Sequence, residues 1–339
     1  MATMKEIAEL SGVSRGTVDR VLNHRGAVNE ETQKKVLEIA KLLNYQPNPA
    51  GKALAAQKKK YKIGVLLFGV EHPFFDEVMQ GLREKAAELS IYGCTLLEKR
   101  TPFSLKAQLD AIDELCGEDI QGLLLSPYNA PEIKEKIDAL WERNIPCITI
   151  NTDLPHSKRL AYVGSDFHKC GRTAAKLLSL FTGARAQVGI VTGSHDILCH
   201  EERIAGFKEW IAQNAPDMTV ASTVENEDDD IKSYDTVRGL LERNPDLTAL
   251  YFTASGVSGG CRALLAANLN KKIPVLAFDA LPSHCKLLKE GTVTAILTQQ
   301  PQMQGATSLA LLFDYLLFHQ LPKEEYNYME LSIKISENI

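Results

Sequence analysis

The sequence predicts a small all-α head joined to a two-lobed α/β body built from doubly wound parallel sheets. Three observations carry this. Residues 1–60 hold apolar stripes at helical spacing, together with 11 Lys/Arg against 6 Asp/Glu. From residue 61 onward, short apolar runs alternate with helix-patterned segments, the mark of βα units. That alternation lasts about 280 residues, more than one core comfortably holds, so two lobes follow.

The head reads as short helices in sequence. Thr3 and Glu6 form a capping box: the hydroxyl accepts the third helical amide and the carboxylate reaches back to the cap amide. Ile7, Ala8 and Leu10 follow on one face, and Gly12 stops the helix. Ser14 is a second N-cap, after which Val18, Val21 and Leu22 bury one stripe. The opposite face carries Arg15, Gly16, Thr17, Asp19, Arg20 and Asn23. Asn29 caps a third helix whose apolar stripe is Val36, Ile39, Ala40 and Leu43. Two short helices around a tight Gly-containing turn, braced by a third, predict a helix-turn-helix. Asn48-Pro49 then starts a helix over residues 49–56, too short to be stable without a surface to fold on.

In the body, KIGVLLFGV, IQGLLLSP, IPCITIN, AQVGIVTG, LTALYFTA and PVLAFDA read as buried parallel strands. Helices are expected over 76–89, 131–143 and 203–214. No internal repeat is visible in the sequence.

Charge and cysteine usage narrow the function. The chain has 339 residues and net charge −5, but residues 1–60 carry +5; the other 279 hold 27 basic and 37 acidic side chains. A basic head on an acidic body means that only the head suits a polyanion. Seven scattered cysteines with no C-x-x-C fit reduced thiols. The N-terminus has no apolar signal core and no 18-residue apolar span occurs, so a soluble, cytoplasmic protein with no membrane partner is expected.

MKEIAELSGVSRGTVDRVLN, NYQPNPAGKALA and KIGVLLF together resemble the LacI/GalR family of transcriptional regulators, in the family's order and over essentially the whole chain. The resemblance implies a helix-turn-helix DNA-binding domain over 1–47, a hinge helix and linker over 48–60, and an effector-binding and dimerisation domain over 61–339. It places Arg15, Gly16, Thr17 and Arg20 at the major groove and Leu54 as an apolar wedge in the minor groove. The DNA-facing set is then Thr3, Ser14, Arg15, Gly16, Thr17, Asp19, Arg20, Asn23, His24, Asn48, Lys52 and Leu54. Two positions depart from the family: Asp19 stands where serine is usual, and Gly51-Lys52 where Ala-Arg or similar is common. Asp19 either braces Arg15 across one helical turn, the favoured reading, or accepts a hydrogen bond from a cytosine amino group.

The body is similar to periplasmic sugar-binding proteins, ribose-binding types especially. This implies three crossings between lobes, near Gly164, Gln300 and Tyr328. Lobe 1 is then about 61–164 and 300–328, and lobe 2 about 165–299 and 329–339. Ligands of open sheets sit at the carboxyl ends of strands, so the loops there supply the candidates. Phe74 and Phe75 suit stacking on a sugar, with one expected in the core and the other in the site; His72 supplies hydrogen bonds. Ser126 and Asn151-Thr152 end strands. Arg203, Asp279 and Gln299 match ligand-contact positions of the sugar binders. Ala254-Ser255 stands where many relatives carry Asn-Asp, which weakens the case for a standard pentose. The acidic run 225–230 reads as a solvated loop.

The expected whole is a cytoplasmic homodimeric repressor, not an enzyme, that reads a pseudo-palindromic operator and is controlled by a small sugar or polyol between its lobes. Induction is favoured over corepression. The rival chemistry is a hydrolase using Ser258 in G-x-S-x-G, with Asp279 and His284 or His319 in hydrolase order. The same pattern occurs at residues 12–16, and Thr253, Ala254 and Ser255 intervene between the strand and the motif, so the match is weak. His195, Cys199 and His200 suggest a metal, but surface-loop chemistry is the expected reading and no metal is assigned. Without a Walker-type loop or G-x-G-x-x-G, no nucleotide cofactor is expected.

Overall fold

The structure is a computed structural model that describes residues 3–22, 28–43, 45, 60–69, 72–195 and 197–339. In the head, α1 (Met4–Ser11), α2 (Arg15–Leu22) and α3 (Glu30–Leu42) pack around Ile7, Ala8, Val18, Val21, Val36 and Ala40. The capping box forms: Thr3 N donates to Glu6 Oε2 at 2.7 Å, and Glu6 N donates to Thr3 Oγ1 at 3.3 Å. Thr17 N donates to Ser14 Oγ and Thr32 N to Asn29 Oδ1, so both other caps are used. Gly12 closes α1 in the left-handed region, at φ 70°, where a side chain would be strained.

The body holds two six-stranded sheets. The first contains β1 (Tyr61–Phe68), β2 (Cys94–Thr101), β3 (Gly122–Leu125), β4 (Cys147–Ile150), β5 (Ala161–Gly164) and β11 (Tyr326–Tyr328), in the order β11-β5-β4-β3-β1-β2. The second contains β6 (Ala186–Thr192), β7 (Met218–Glu225), β8 (Ala249–Phe252), β9 (Val275–Phe278), β10 (Ala295–Thr298) and β12 (Ser332–Lys334), in the order β12-β10-β9-β8-β6-β7. The two orders are the same, so a topological repeat exists that the sequence hides. One pairing breaks the parallel rule: β12 runs antiparallel to β10. Helices α4 (Pro73–Leu89), α5 (Leu105–Gly117) and α6 (Pro131–Glu142) belong to the first sheet. Helices α7 (Phe167–Thr182), α8 (Leu198–Asn214), α9 (Asp230–Arg243), α10 (Val257–Ala266) and α11 (Pro282–Lys289) belong to the second. The chain leaves the first sheet after Gly164 and returns after Gln300 as α12 (Pro301–Phe318), which packs on α4 and on β3, β4 and β5. It crosses a third time between β11 and β12.

Two expected helix starts move. The helix expected from residue 76 begins at Pro73, because proline suits the first helical position, and so Phe74 and Phe75 lie on a helix rather than a loop. The helix expected from residue 203 begins at Leu198, which adds Cys199 and His200 to its first turn. Edge strands β2 and β7 were absent from the expected strands. Their mixed polar patterns, with central residues only half-buried, lack the continuous apolar run of a central strand.

Glycines fix the helix that matters most for the site. A Cβ on Gly171 of α7 would lie 2.0 Å from Arg203 O, and one on Gly206 of α8 would lie 2.0 Å from His168 O. The two backbones therefore touch, and Arg203 is held at a fixed height above the sheet. Cysteines are all free thiols. Among the described residues no helix is long and apolar enough to cross a membrane.

Candidate functional site

A cleft of about 220 Å³ opens between the two sheets at their carboxyl ends. It brings together all ten expected effector residues: His72, Phe74, Phe75, Ser126, Asn151 and Thr152 from the first lobe, and Arg203, Ala254, Asp279 and Gln299 from the second. Sharp turns at the strand ends aim several of them. Asn151 follows β4 at φ 65° and Asp279 follows β9 at φ 62°, and Asn and Asp tolerate this left-handed geometry better than most residues.

The second-lobe wall is charged and braced. The Arg203 guanidinium lies between two rings, 3.8 Å from the centroid of Phe278 and 4.7 Å from that of Phe167. Its Nη1 donates to Thr253 O, while Nε has no partner in the protein. Burial works against this charge, but Cys199 and Asp279 more than offset it and raise the pKa, so Arg203 stays cationic. Gln299 Nε2 donates to both Asp279 oxygens, at 3.0 and 3.3 Å, and Gln304 Nε2 donates to Gln299 O at 2.8 Å. Burial pushes the Asp279 carboxyl up, with Arg203 and the Gln299 hydrogen bond pulling the other way. Burial also pushes the His200 imidazole down, which keeps it neutral at neutral pH.

The first-lobe wall is neutral. Phe74 and Phe75 stand edge to face at 5.2 Å, both almost fully buried. Here the expectation of one core ring and one site ring is corrected: each ring does both, because the first turn of α4 lies between the core and the cleft. The loop after β3 is held from beneath, since Gln108 Nε2 donates to Ser126 O and Tyr128 N donates to Gln108 Oε1. A hydrogen bond of 3.1 Å between His72 Nε2 and Ser255 Oγ joins the two walls.

Four buried polar atoms on this cleft have no protein partner: His72 Nδ1, Ser126 Oγ, Arg203 Nε and Gln299 Oε1. Orphaned groups of this kind are costly unless a ligand or water meets them. Donors and acceptors on an apolar platform suit a small polyhydroxylated molecule.

Several cleft residues were not expected. Phe68 and Phe103 extend the aromatic wall, and His200, Ser255, Glu227 and Asp228 line the other side. Phe103 and Asp228 follow β2 and β7, two of the edge strands missing from the sequence reading. The reading of 225–230 as a purely solvated loop is therefore corrected. Asn226 is buried, and Asp228 turns inward to accept from Ser255 N at 2.8 Å.

The rival chemistries do not assemble. Ser258 lies inside α10 and does not line the cleft; Gly259 beside it admits the α9 backbone, since a Cβ there would lie 1.8 Å from Asp230 O. The G-x-S-x-G pattern thus reflects helix packing. His284 Nδ1 meets the backbone oxygens of Phe278 and Asp279. The surface-loop reading of the His195, Cys199 and His200 group is also corrected: His195 is exposed beside Glu201, but Cys199 and His200 are buried in the first turn of α8. Among the described residues no cluster suited to a metal is found.

In the head, Thr3, Ser14, Arg15, Gly16 and Arg20 are exposed, while Thr17 and Asp19 are half-buried. The Thr3 and Ser14 hydroxyls serve as helix caps. Arg20 Nε donates to Gly16 O at 3.3 Å. Asp19 lies near Tyr45, whose phenol is pushed up by burial first and by Asp19 next. Asn23, His24, Asn48, Lys52, Leu54 and the expected hinge helix fall outside the described residues.

Residues 3–48 match the bacterial regulatory proteins of the lacI family, and residues 63–320 match the periplasmic binding protein domain. A ribose operon repressor from Halalkalibacterium halodurans is 28% identical, with 97% of this chain and 94% of that protein aligned. The transcriptional regulator MalR of Clostridium butyricum is 28% identical over 91% of each chain. Among solved structures, a solute-binding protein of an ABC transporter from Burkholderia graminis, in complex with D-arabinose, superposes with a TM-score of 0.77 at 23% identity, over 82% of this chain and 96% of that one.

Proposed function

We propose, from the premise that this chain belongs to the lacI family of bacterial regulatory proteins and is a DNA-binding transcriptional regulator, that it is a cytoplasmic homodimeric repressor induced by a small sugar or polyol. The observation that carries the effector reading is the convergence of ten strand-end residues on one cleft with four orphaned polar atoms. Neighbouring folds support it, since the Burkholderia protein holds D-arabinose and the Halalkalibacterium relative is named for ribose. In this reading residues 1–47 bind the operator, 48–60 form the hinge, and 61–339 bind effector and dimerise. Arg15, Gly16, Thr17 and Arg20 meet the major groove, Leu54 wedges the minor groove, and Thr3, Ser14, Asn23, His24, Asn48 and Lys52 position the head on the duplex. Two-fold symmetry then requires two half-sites. Ligand binds the two lobe arrangements with different affinity, which shifts the spacing of the paired hinges and their hold on DNA.

Glu227 and Asp228 on the cleft, with Ala254-Ser255 beside them, favour a second reading in which the effector is an amino-bearing polyol. A thermal-shift panel of sugars, amino sugars, polyols and sugar acids on residues 61–339 separates the two, because a true ligand raises the melting temperature with concentration. For DNA binding, fluorescence anisotropy on duplexes selected from a random pool is the measure. Leu54→Ala and deletion of residues 1–60 should abolish specific binding and spare the thermal shift. Operator affinity that survives the deletion would sink the reading.

A further inference from the structure

A second cavity, of about 290 Å³, lies beside the interlobe crossings that follow Gly164 and Tyr328. We propose that it is a binding site for a small organic ammonium ion, held by the Glu202 carboxylate against a wall of tyrosine and phenylalanine rings.

The walls come from both lobes. Asp153, Tyr162, Tyr326 and Tyr328 belong to the first, and Asp166, Phe167 and Glu202 to the second. Tyr326 and Tyr328 are stacked with centroids 5.8 Å apart, and Tyr162 meets each of them edge-on at 6.2 Å. Aromatic faces attract cations, and this wall already takes one: the Arg159 guanidinium lies 4.9 Å over the Tyr326 ring.

The carboxylates are not equivalent. Asp153 is neutralised by a two-pronged pair with Arg159, at 2.6 and 2.7 Å, and Asp166 caps α7 through Lys169 N at 2.9 Å. Glu202 has no ion pair among the described residues. Burial raises its pKa, and Asp166 and Asp153 add to the effect, while His168 and Arg203 pull the other way without cancelling it; a cation placed here would add to that relief. A further polar group also awaits a partner: Ser165, 2% exposed, lines the cavity with its hydroxyl unsatisfied.

The position of the site links it to the cleft in front. Glu202 and Arg203 are consecutive on α8, and the first faces the rear cavity while the second faces the cleft. Thr152 and Asp153 divide in the same way, and Cys199 lines both spaces. A ligand at the rear touches both lobes beside the crossing after Gly164, so any change in lobe angle changes its site.

The test is isothermal titration calorimetry of 1,4-diaminobutane into the full chain at matched ionic strength, with 1,4-butanediol as the neutral control. Saturable binding at about 1 mM or tighter is expected for the diamine and none for the diol. Glu202→Gln should weaken binding about tenfold and Tyr328→Leu, at a half-exposed ring, about fivefold. Asp228→Asn, on the front cleft, should leave it unchanged. Unliganded melting temperatures report whether each variant folds; should Glu202→Gln fail to fold, Tyr328→Leu decides. No saturable heat up to about 10 mM diamine, binding indifferent to both rear substitutions, or binding lost in Asp228→Asn would each overturn the proposal.

Discussion

The two walls of the cleft do different physical work. Every charged residue on it, Arg203, Glu227, Asp228 and Asp279, belongs to the second lobe, whereas the first lobe offers Phe68, Phe74, Phe75 and Phe103 with neutral polar groups between them. The second wall is held by an arginine against two rings and by side-chain hydrogen bonds, the first by apolar packing and the Gln108 hydrogen bonds beneath its β3 loop. A ligand on the aromatic wall alone gains contact area and little orientation. A ligand on the charged wall alone meets directional groups still open to water. In the proposed reading closure joins the two, which supplies the differential affinity a two-state regulator needs.

Predictions follow the strength of this contrast. Arg203→Ala should have the largest effect. It removes a buried cation and its unpartnered Nε donor from the cleft, so affinity in calorimetry should fall about 100-fold. It also leaves Asp279 without the charge that most favours its ionised form, so the melting temperature should fall too. Unchanged affinity would end the claim that the second wall carries orientation. Phe103→Ala comes next. The ring is 38% exposed and packs on Phe68 at 4.9 Å, so its loss should cost binding about fivefold and stability little. An equal loss of stability would make the first wall a matter of folding rather than recognition.

Asp279→Asn separates stability from binding. Burial raises the Asp279 pKa in the folded state, so folding favours the protonated acid. The sign is then fixed: this group's stabilising effect is present below the ordinary aspartate pKa and is lost as pH rises through the raised folded value. The parent's melting temperature should fall as pH rises across that range, whereas the asparagine variant, with no carboxyl to titrate, should show a smaller fall and should bind ligand worse. An equal pH dependence in the two would contradict the burial argument. The smallest effect belongs to Ser255→Ala, which cuts the His72 bridge between the walls. Scattering should show a slightly larger mean radius of the unliganded chain, with ligand affinity changed less than about fivefold.

How legible each part was follows from period and environment. The head could be read because its caps are local: Thr3 and Glu6, Ser14 and Thr17, and Asn29 and Thr32 meet within three residues. Central strands such as β3 and β8 are buried throughout and appear as plain apolar runs. β2 and β7 are edges whose half-buried faces admit Glu98, Lys99 and Ser222, so the run is broken, and the site residues that follow them were lost with them. Phe74 and Phe75 were assigned to the loop after the first strand because the helix was expected only from residue 76, whereas Pro73 occupies its first position. G-x-S-x-G was ambiguous because the same glycines serve an elbow or a helix contact, and only the neighbouring α9 backbone chooses between them.

By itself the sequence determined the head, the alternation of the body and the chemical types at the strand ends, since these depend on spacing within a few residues. Tertiary structure decided which of those strand ends meet. It placed the charged groups on one wall and the rings on the other, and it turned Glu202 and Arg203, neighbours in the chain, towards two different cavities. That division comes from helix rotation and from the pairing of residues far apart in sequence. The close approach of α7 and α8 at Gly171 and Gly206 sets it, and no local pattern records it.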